Sequence, residues 1–302
     1  MKKLTTAFAF SLLAAPALAA DLGDDRYGSL KDDPPPLGLI YQGTVGVAGL
    51  WTFADGSDDG VIDDEDHAGI TGFGRVNVPI AALTSLQFDV DGTANFLGGD
   101  QIDDNFGHAF STALHLSYRQ HQRYLVGLFG FLGTTSAGED EQNSFFGGGL
   151  EGQLYLGDLT LYGQAAYFGG ETEDDLTDGI DEGWFVRAVG RYFFTPNSKL
   201  QAEISYSEAE VSNNDEDYSF IGWGVEYERR ISVHPISFFV AYEGTYGENE
   251  LDNRDYTDHT AKLGLKFHFG GASLKDIDRR GATLDTPSAL PRWLGYELES
   301  ID

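Results

Sequence analysis

The sequence predicts an all-β protein, a closed antiparallel transmembrane up-and-down β-barrel of about 12 strands. Apolar and polar or small residues alternate with a period of two from residue 40 to residue 270, as a sheet with one apolar face requires. Most of the alternating segments span about 10–13 residues, enough to cross a bilayer when the strands are tilted. The connections between them are alternately short and long, which is the asymmetry expected of a transmembrane barrel with an even number of strands.

The first residues predict export. Lys2 and Lys3 precede a mostly apolar run over residues 4–13, and Ala17-Leu18-Ala19 has the small-x-small pattern of a signal-peptidase site. We therefore expect a signal peptide over 1–19, a Pro-rich periplasmic lead-in over 20–39, the barrel over 40–270 and a periplasmic tail over 271–302. The tail contains Pro291-Arg-Trp293-Leu-Gly-Tyr296, and its sequence does not decide between docking under the barrel mouth and a free extension.

The composition excludes several classes of protein. The chain contains no cysteine, so disulfides, thiol chemistry and thiolate metal sites are excluded. Its formal net charge of -30 opposes binding to nucleic acid. We expect no resident cofactor.

The acidic residues are concentrated in the long connections near 54–68, 94–108, 134–143, 170–182, 208–217 and 247–258. These segments hold 30 of the 49 acidic residues and one basic residue, Arg254. Long connections lie outside the cell in such barrels and short ones in the periplasm, so both termini are expected in the periplasm. The acidic surface serves either solubility and salt adaptation or the collection of divalent cations.

One of these acidic segments has the spacing of a twelve-residue calcium loop. Oxygen ligands fall at its positions 1, 3, 5, 9 and 12, with a turn glycine, Gly60, at position 6. The segment departs from the motif in its Ser at the third position, its Asp at the twelfth and its lack of predicted flanking helices. A solvated acidic loop and a Ca²⁺ site are both compatible with the ligand residues Asp55, Ser57, Asp59, Asp63 and Asp66.

The positions that face inward on the predicted strands include both acidic and basic residues. They either form a cross-strand salt-bridge lattice that holds the barrel shut or line a narrow water-filled pore. A barrel of twelve strands lies between the filled eight-stranded and the open sixteen-stranded kinds. The predicted pore-lining residues are Arg75, Asp89, Asp91, His115, Arg119, Glu151, Arg187, Arg191, Glu203, Glu226, Glu228, Glu243, Lys262 and Lys266.

An enzyme is the third and least favoured class. His115 and Ser117 have the His-x-Ser spacing that resembles outer-membrane phospholipase A, also a twelve-stranded barrel. A lipolytic pair must face lipid, whereas the parity of Leu114, Leu116 and Tyr118 turns His115 and Ser117 inward. The Asn-Gly that follows the serine in that family is also missing. We therefore predict that the protein is not an enzyme.

The last strand resembles the terminal-strand signal that the outer-membrane barrel-assembly machinery reads, with Lys262, Gly264, Phe267 and Phe269 at its four marked positions. In many family members the aromatic residue is the last of the chain, whereas here about 33 residues follow it. The segment Ala20-Asp21 and residues 27–32 resemble the N-termini of alphaproteobacterial outer-membrane barrels, some of which are joined to peptidoglycan. The resemblance implies a Gram-negative outer-membrane location, with outer-membrane lipid, lipopolysaccharide, the assembly machinery and one further candidate, peptidoglycan, as partners.

Together these patterns predict a porin-like channel for passive diffusion of small hydrophilic solutes. The alternative is a non-conducting structural barrel that anchors the membrane to the cell wall.

Overall fold

The computed structural model describes residues 41–57, 65–97, 108–136, 142–172, 180–211, 216–231, 234–249 and 255–285. No helix within these ranges is long and apolar enough to cross a membrane. The signal peptide, the lead-in and the tail beyond residue 285 lie outside the described residues.

Twelve antiparallel strands form a closed barrel in which each strand pairs with its sequence neighbours and β1 pairs with β12. This confirms the predicted fold and strand count. The strands are β1 (Gln42–Ser57), β2 (Glu65–Pro79), β3 (Thr84–Leu97), β4 (His108–Gln120), β5 (Tyr124–Ser136), β6 (Gln142–Leu156), β7 (Leu159–Thr172), β8 (Ile180–Thr195), β9 (Ser198–Val211), β10 (Glu216–Arg230), β11 (Ile236–Asn249) and β12 (Asp255–Phe269).

The outer face of the barrel is apolar. Large hydrophobic residues on one parity of each strand are exposed, while their neighbours on the other parity are mostly buried. An exposed apolar belt of this extent on a closed sheet matches a surface solvated by lipid. Its members include Val45, Val47, Trp51, Phe88, Leu114, Leu116, Leu128, Leu150, Ile204, Leu263 and Phe267.

Five short connections define one end of the barrel, which we call the short-turn end. They span residues 80–83, 121–123, 157–158, 196–197 and 231–235. Gly157 has a φ of 64°, which a two-residue hairpin turn requires and which glycine adopts without steric cost.

The interior departs from the prediction that only small or polar residues face inward. Phe129, Phe131, Phe145, Phe168 and Phe185 are inward-facing and almost completely buried. Their rings lie in contact, with centroids of Phe131 and Phe185 6.1 Å apart and those of Phe129 and Phe131 5.8 Å apart. We call this group the phenylalanine cluster; it fills the lumen beside β5–β8.

Two inward glycines make room for these rings. A Cβ atom on Gly133 would lie 2.3 Å from Cζ of Phe145, and one on Gly147 would lie 2.5 Å from Cζ of Phe131. Both distances are far below van der Waals contact. Because these glycines have no side chain, they leave the space into which the neighbouring rings pack.

After β12 the chain turns back to cover the short-turn end. Helix α1 (Leu274–Arg280) begins at Ser273, whose side chain accepts a hydrogen bond from the Asp276 N–H. Lys275 pairs with Asp158 in one hairpin, at 2.7 Å, and its N–H donates to the carbonyl of Pro196 in another. Residues 281–285 then enter the lumen and are all buried, so the tail forms a plug from the end of β12.

Candidate functional site in the barrel interior

The residues predicted to line a pore all lie on the inward side of the barrel wall, and most are joined in ion pairs. On the wall of β8–β12, Lys262 pairs with Glu243 at 2.7 Å and Arg187 with Glu203 at 2.5 Å. The lattice that the sequence suggested is therefore present. Two further features, the phenylalanine cluster and the tail, share the same interior.

Glu228 is the centre of the first charge cluster and is only 1% exposed. Its carboxylate lies 3.0 Å from Nζ of Lys199 and 3.2 Å from Nζ of Lys266. It also accepts a hydrogen bond from the Ser237 hydroxyl and lies 2.9 Å from His268 Nε2. A buried carboxylate with this many donors is stabilised against the cost of leaving water.

His115 is the centre of a second cluster and is completely buried. Its Nδ1 lies 2.9 Å from Glu151 and its Nε2 lies 3.4 Å from Asp89. The Tyr162 hydroxyl donates to the other oxygen of Glu151 at 2.8 Å. Ser117 is hydrogen-bonded to Ser85 rather than to His115, so the His-x-Ser spacing does not build a nucleophile and base.

Asp285 is buried inside the barrel and binds three arginines of the wall. One carboxylate oxygen accepts a short hydrogen bond from Arg187, and the other lies 3.5 Å from Arg75 and 3.6 Å from Arg191. Burial opposes ionisation of the Asp285 carboxyl, but Arg187, Arg75 and Arg191 outweigh it and hold its pKa below the ordinary aspartate value. The Asp285 side chain is therefore a bound anion.

The backbone of the inserted segment is also held by wall side chains. Arg119 Nη1 donates to the carbonyl of Gly281 at 2.9 Å. Gln87 Nε2 donates to the carbonyl of Leu284 at 2.7 Å, and Gln164 Nε2 to that of Asp285 at 2.7 Å. Because every donor comes from a different strand, the segment is fixed in one position across the lumen.

A cleft remains open beside the inserted segment. It is a small space of about 50 Å³ that is partly open to solvent. Its lining combines charged and polar side chains of β8–β10, β12, β1 and β2 with one face of the tail. The lining residues include Thr44, Arg75, Arg191, Lys199, Gln201, Glu228, Lys266, His268, Asp278 and Thr283.

The remaining predicted sites are less completely described. Asp55 and Ser57 lie at the end of β1 and Asp66 near the start of β2, while residues 59 and 63 lie outside the described ranges. Among the described residues, no three acidic or histidine side chains lie close enough to hold a metal ion. The calcium site stays a prediction.

The four marked residues of the terminal-strand signal lie on β12, which closes the barrel against β1. Lys262 and Gly264 have inward parity, whereas Phe267 is exposed on the outer face. Phe269 pairs with Gly43, and its ring covers the place where a Cβ of Gly43 would lie. The structure thus places the signal at the seam of the barrel.

The fold matches known outer-membrane barrels, although no protein-family model and no curated protein matches the sequence. An outer-membrane channel from Pseudomonas putida F1 is 14% identical with a TM-score of 0.55, covering 82% of this chain and 100% of that chain. The translocator domain of autotransporter NalP from Neisseria meningitidis is 13% identical with a TM-score of 0.46, covering 88% and 97%. KdgM porin in complex with disordered oligogalacturonate is 11% identical with a TM-score of 0.41, covering 74% and 99%.

These findings define the class of the protein. The chain has the fold of bacterial outer-membrane β-barrels: a closed barrel of twelve strands with an exposed apolar belt, similar in structure to the P. putida channel. At this sequence identity the likeness establishes the fold, and the function must be argued from the interior of this chain.

Proposed function

We propose that the protein is an outer-membrane channel for passive diffusion of small hydrophilic solutes, with its termini in the periplasm. The observation that supports the proposal most is the polar cleft beside the inserted tail. A purely structural barrel has no need of a cleft lined by Lys199, Lys266 and Arg191, because charges taken out of water are costly to hold in an interior that could be packed with apolar residues.

The cleft also sets the kind of solute. Its wall places the lysines of β9 and β12 opposite Asp278 of the tail, so a passing molecule meets both signs of charge. Small solutes with several hydrogen-bonding groups replace their water shell in such a passage at least cost. The acidic outer segments raise the local concentration of cations at the mouth, while the arginines inside oppose simple cation selectivity.

The test is single-channel conductance of the full-length protein in planar bilayers. We expect discrete conductance steps, and a reduced conductance for Gln201→Trp because Gln201 lines the cleft and the larger ring narrows it. Ile204→Trp is the matched control, since Ile204 lies on the same strand but is exposed on the outer face. A folded barrel without conductance would contradict the proposal, as would equal conductance of the two tryptophan variants.

A second candidate is a non-conducting structural barrel that anchors the membrane to the cell wall. It is favoured by the phenylalanine cluster and the tail, which together fill much of the lumen. Absence of conductance from folded protein would favour this candidate. Muropeptide mass spectrometry would then test the proposed link between residue 20 and peptidoglycan.

The proposed partners follow from the outer surface and from β12. We propose that the exposed apolar belt contacts outer-membrane lipid and lipopolysaccharide, and that the barrel-assembly machinery reads the terminal-strand signal. We also propose an alphaproteobacterial origin, based on the resemblance of Ala20-Asp21 and residues 27–32 to the N-termini of such barrels.

A further inference from the structure

The position of Asp285 suggests what the wall around it can bind. Its carboxylate is surrounded by Arg75 on β2 and by Arg187 and Arg191 on β8. Gln164 of β7 donates to the Asp285 carbonyl, and the Asp285 N–H donates to the hydroxyl of Tyr162 on the same strand. This is a pocket built by three separate strands of the wall, and its occupant belongs to the tail.

The tail supplies a carboxylate partner to each of these three arginines. Both carboxylate partners of Arg191 among the described residues, Asp278 and Asp285, are on the tail. On the wall, Arg75 has a 4.0 Å pair with Asp89 and weaker interactions with Asp91 and Glu226, and Arg187 has Glu203. Withdrawal of the tail would therefore leave Arg191 without a carboxylate partner among the described residues and would weaken the pairing of Arg75 and Arg187.

Arg119 adds a second observation. Its side chain is buried, and Nε and Nη2 have no hydrogen-bond partner in the part of the chain that the structure describes. Its one acceptor there is the Gly281 carbonyl of the tail. Buried donors without acceptors are costly, so the wall next to the Asp285 pocket has donor capacity that the tail does not use.

The chemistry of the pocket selects its ligand. Guanidinium groups present paired N–H donors in a fixed plane that matches the two oxygens of a carboxylate. The pocket also adjoins the open cleft, since Arg75, Arg191 and Thr283 line both. A solute in the cleft therefore meets Arg75 and Arg191 directly, and Arg187 lies behind them on the other side of Asp285's carboxylate.

We propose that Arg75, Arg187 and Arg191 form a binding site for small carboxylate solutes, which Asp285 occupies in this structure as a tethered competitor. The inference rests on the proposed channel function, because the solute reaches the site through the cleft. It assigns small carboxylates as the solutes that the channel transports. The tail then acts as an internal ligand of the site, and such a solute displaces it.

Tethering sets the strength of the competition. A group held next to its site acts at an effective concentration on the order of millimolar. A free carboxylate must exceed that level, or bind with two carboxylates, to displace Asp285. A dicarboxylate such as succinate can engage Arg187 and Arg75 together, so we choose succinate as the probe and succinamide, its neutral analogue, as the comparison.

The first experiment is calorimetric titration of detergent-purified full-length protein with succinate. We expect Asp285→Asn to bind succinate about tenfold more tightly than the unchanged protein, because an amide forms weaker hydrogen bonds with guanidinium than a carboxylate does. Asp276→Asn is the matched control: Asp276 is an acid of the same tail that contacts Arg280 and the Ala272 N–H rather than the wall. Equal affinities of the two variants would overturn the proposal.

A second experiment measures the accessibility of the tail. The chain has no cysteine, so Ala282→Cys introduces a single thiol at a position that is 5% exposed. We expect succinate to accelerate its reaction with a soluble maleimide and succinamide to leave the rate unchanged. In an Arg187→Gln background, with the folded state verified by heat-modifiable gel mobility, the acceleration should disappear.

The alternative outcomes separate the two proposals. Inorganic phosphate that binds as tightly as succinate would show a general anion site and contradict the assignment to carboxylates. Conductance without succinate binding would overturn this inference and leave the channel intact. Succinate binding without conductance would overturn the channel proposal and leave the site.

Discussion

Glu228 shows how one residue can hold several strands together from inside the barrel. Its neighbours Lys199, Ser237 and Lys266 come from β9, β11 and β12. Breaking one buried ion pair by removing a single partner costs about 3–5 kcal/mol, because the other charge is left uncompensated. Here one carboxylate compensates two ammonium groups, and Glu226 provides their other partner.

Replacing Glu228 with Gln should therefore lower the free energy of unfolding by about 3–5 kcal/mol. Urea unfolding of protein reconstituted in lipid vesicles measures this change. Glu248→Gln is the control, since Glu248 is exposed on β11 and a surface change of this kind stays within about 0.5 kcal/mol. Similar values for both variants would show that the cluster around Glu228 contributes little.

The sequence predicts which residues face the interior wherever strand parity decides the face. Asp89, His115 and Glu228 lie on the face that alternation assigns, because a one-residue slip would move every side chain to the other face. Asp285 could not be found in this way. It belongs to no strand, and its partners Arg75 and Arg187 lie about 100 or more positions away in the sequence.

At the scale of elements, β5–β8 differ from the other strands. In β5, Leu125, Phe129 and Phe131 face inward while Val126 and Leu128 face outward. Apolar residues on both parities indicate a strand with an apolar environment on both faces, here the outer belt on one side and the phenylalanine cluster on the other. The sequence of β5 contains this pattern, but the prediction of a polar inner face did not take it into account.

Truncating the most buried ring should test the phenylalanine cluster. Phe185→Ala removes a side chain that is 0% exposed, leaves a cavity against Phe129, Phe131 and Phe168, and should cost about 3–5 kcal/mol of stability. Phe146→Ala is matched in chemistry, but Phe146 is 56% exposed on the outer face, where lipid fills the gap. We expect the thermal transition in heat-modifiable gel mobility to fall further for Phe185→Ala; an equal fall would contradict internal packing.

The whole molecule depends on the seam between β1 and β12. Fifteen residue pairs join these strands, from Gly43 with Phe269 to Ser57 with Asp255. A closed barrel has no free strand edge, so every main-chain group along the seam needs its partner across it. The sequence predicted this closure from strand number and turn asymmetry, whereas the close approach at Gly264 required coordinates.

Gly264→Ala should weaken the closed barrel. The added Cβ would lie 2.4 Å from the Val47 carbonyl oxygen and 2.6 Å from the Ala48 Cβ, and overpacking of this kind costs about 1–3 kcal/mol. The control is Gly49→Ala, because a Cβ on Gly49 meets nothing within 4 Å. Urea midpoints of the two variants in vesicles provide the comparison, and an unchanged midpoint for Gly264→Ala would show that the seam adjusts freely.

The docking of the tail also implies an order of events in biogenesis. Helix α1 touches hairpins that join β6 to β7 and β8 to β9, and residues 281–285 need side chains from β3, β4 and β7. These surfaces exist together only once the sheet has curled round on itself. The tail can therefore dock only after the barrel has closed, so Arg75, Arg187 and Arg191 lack their partner Asp285 until this last step.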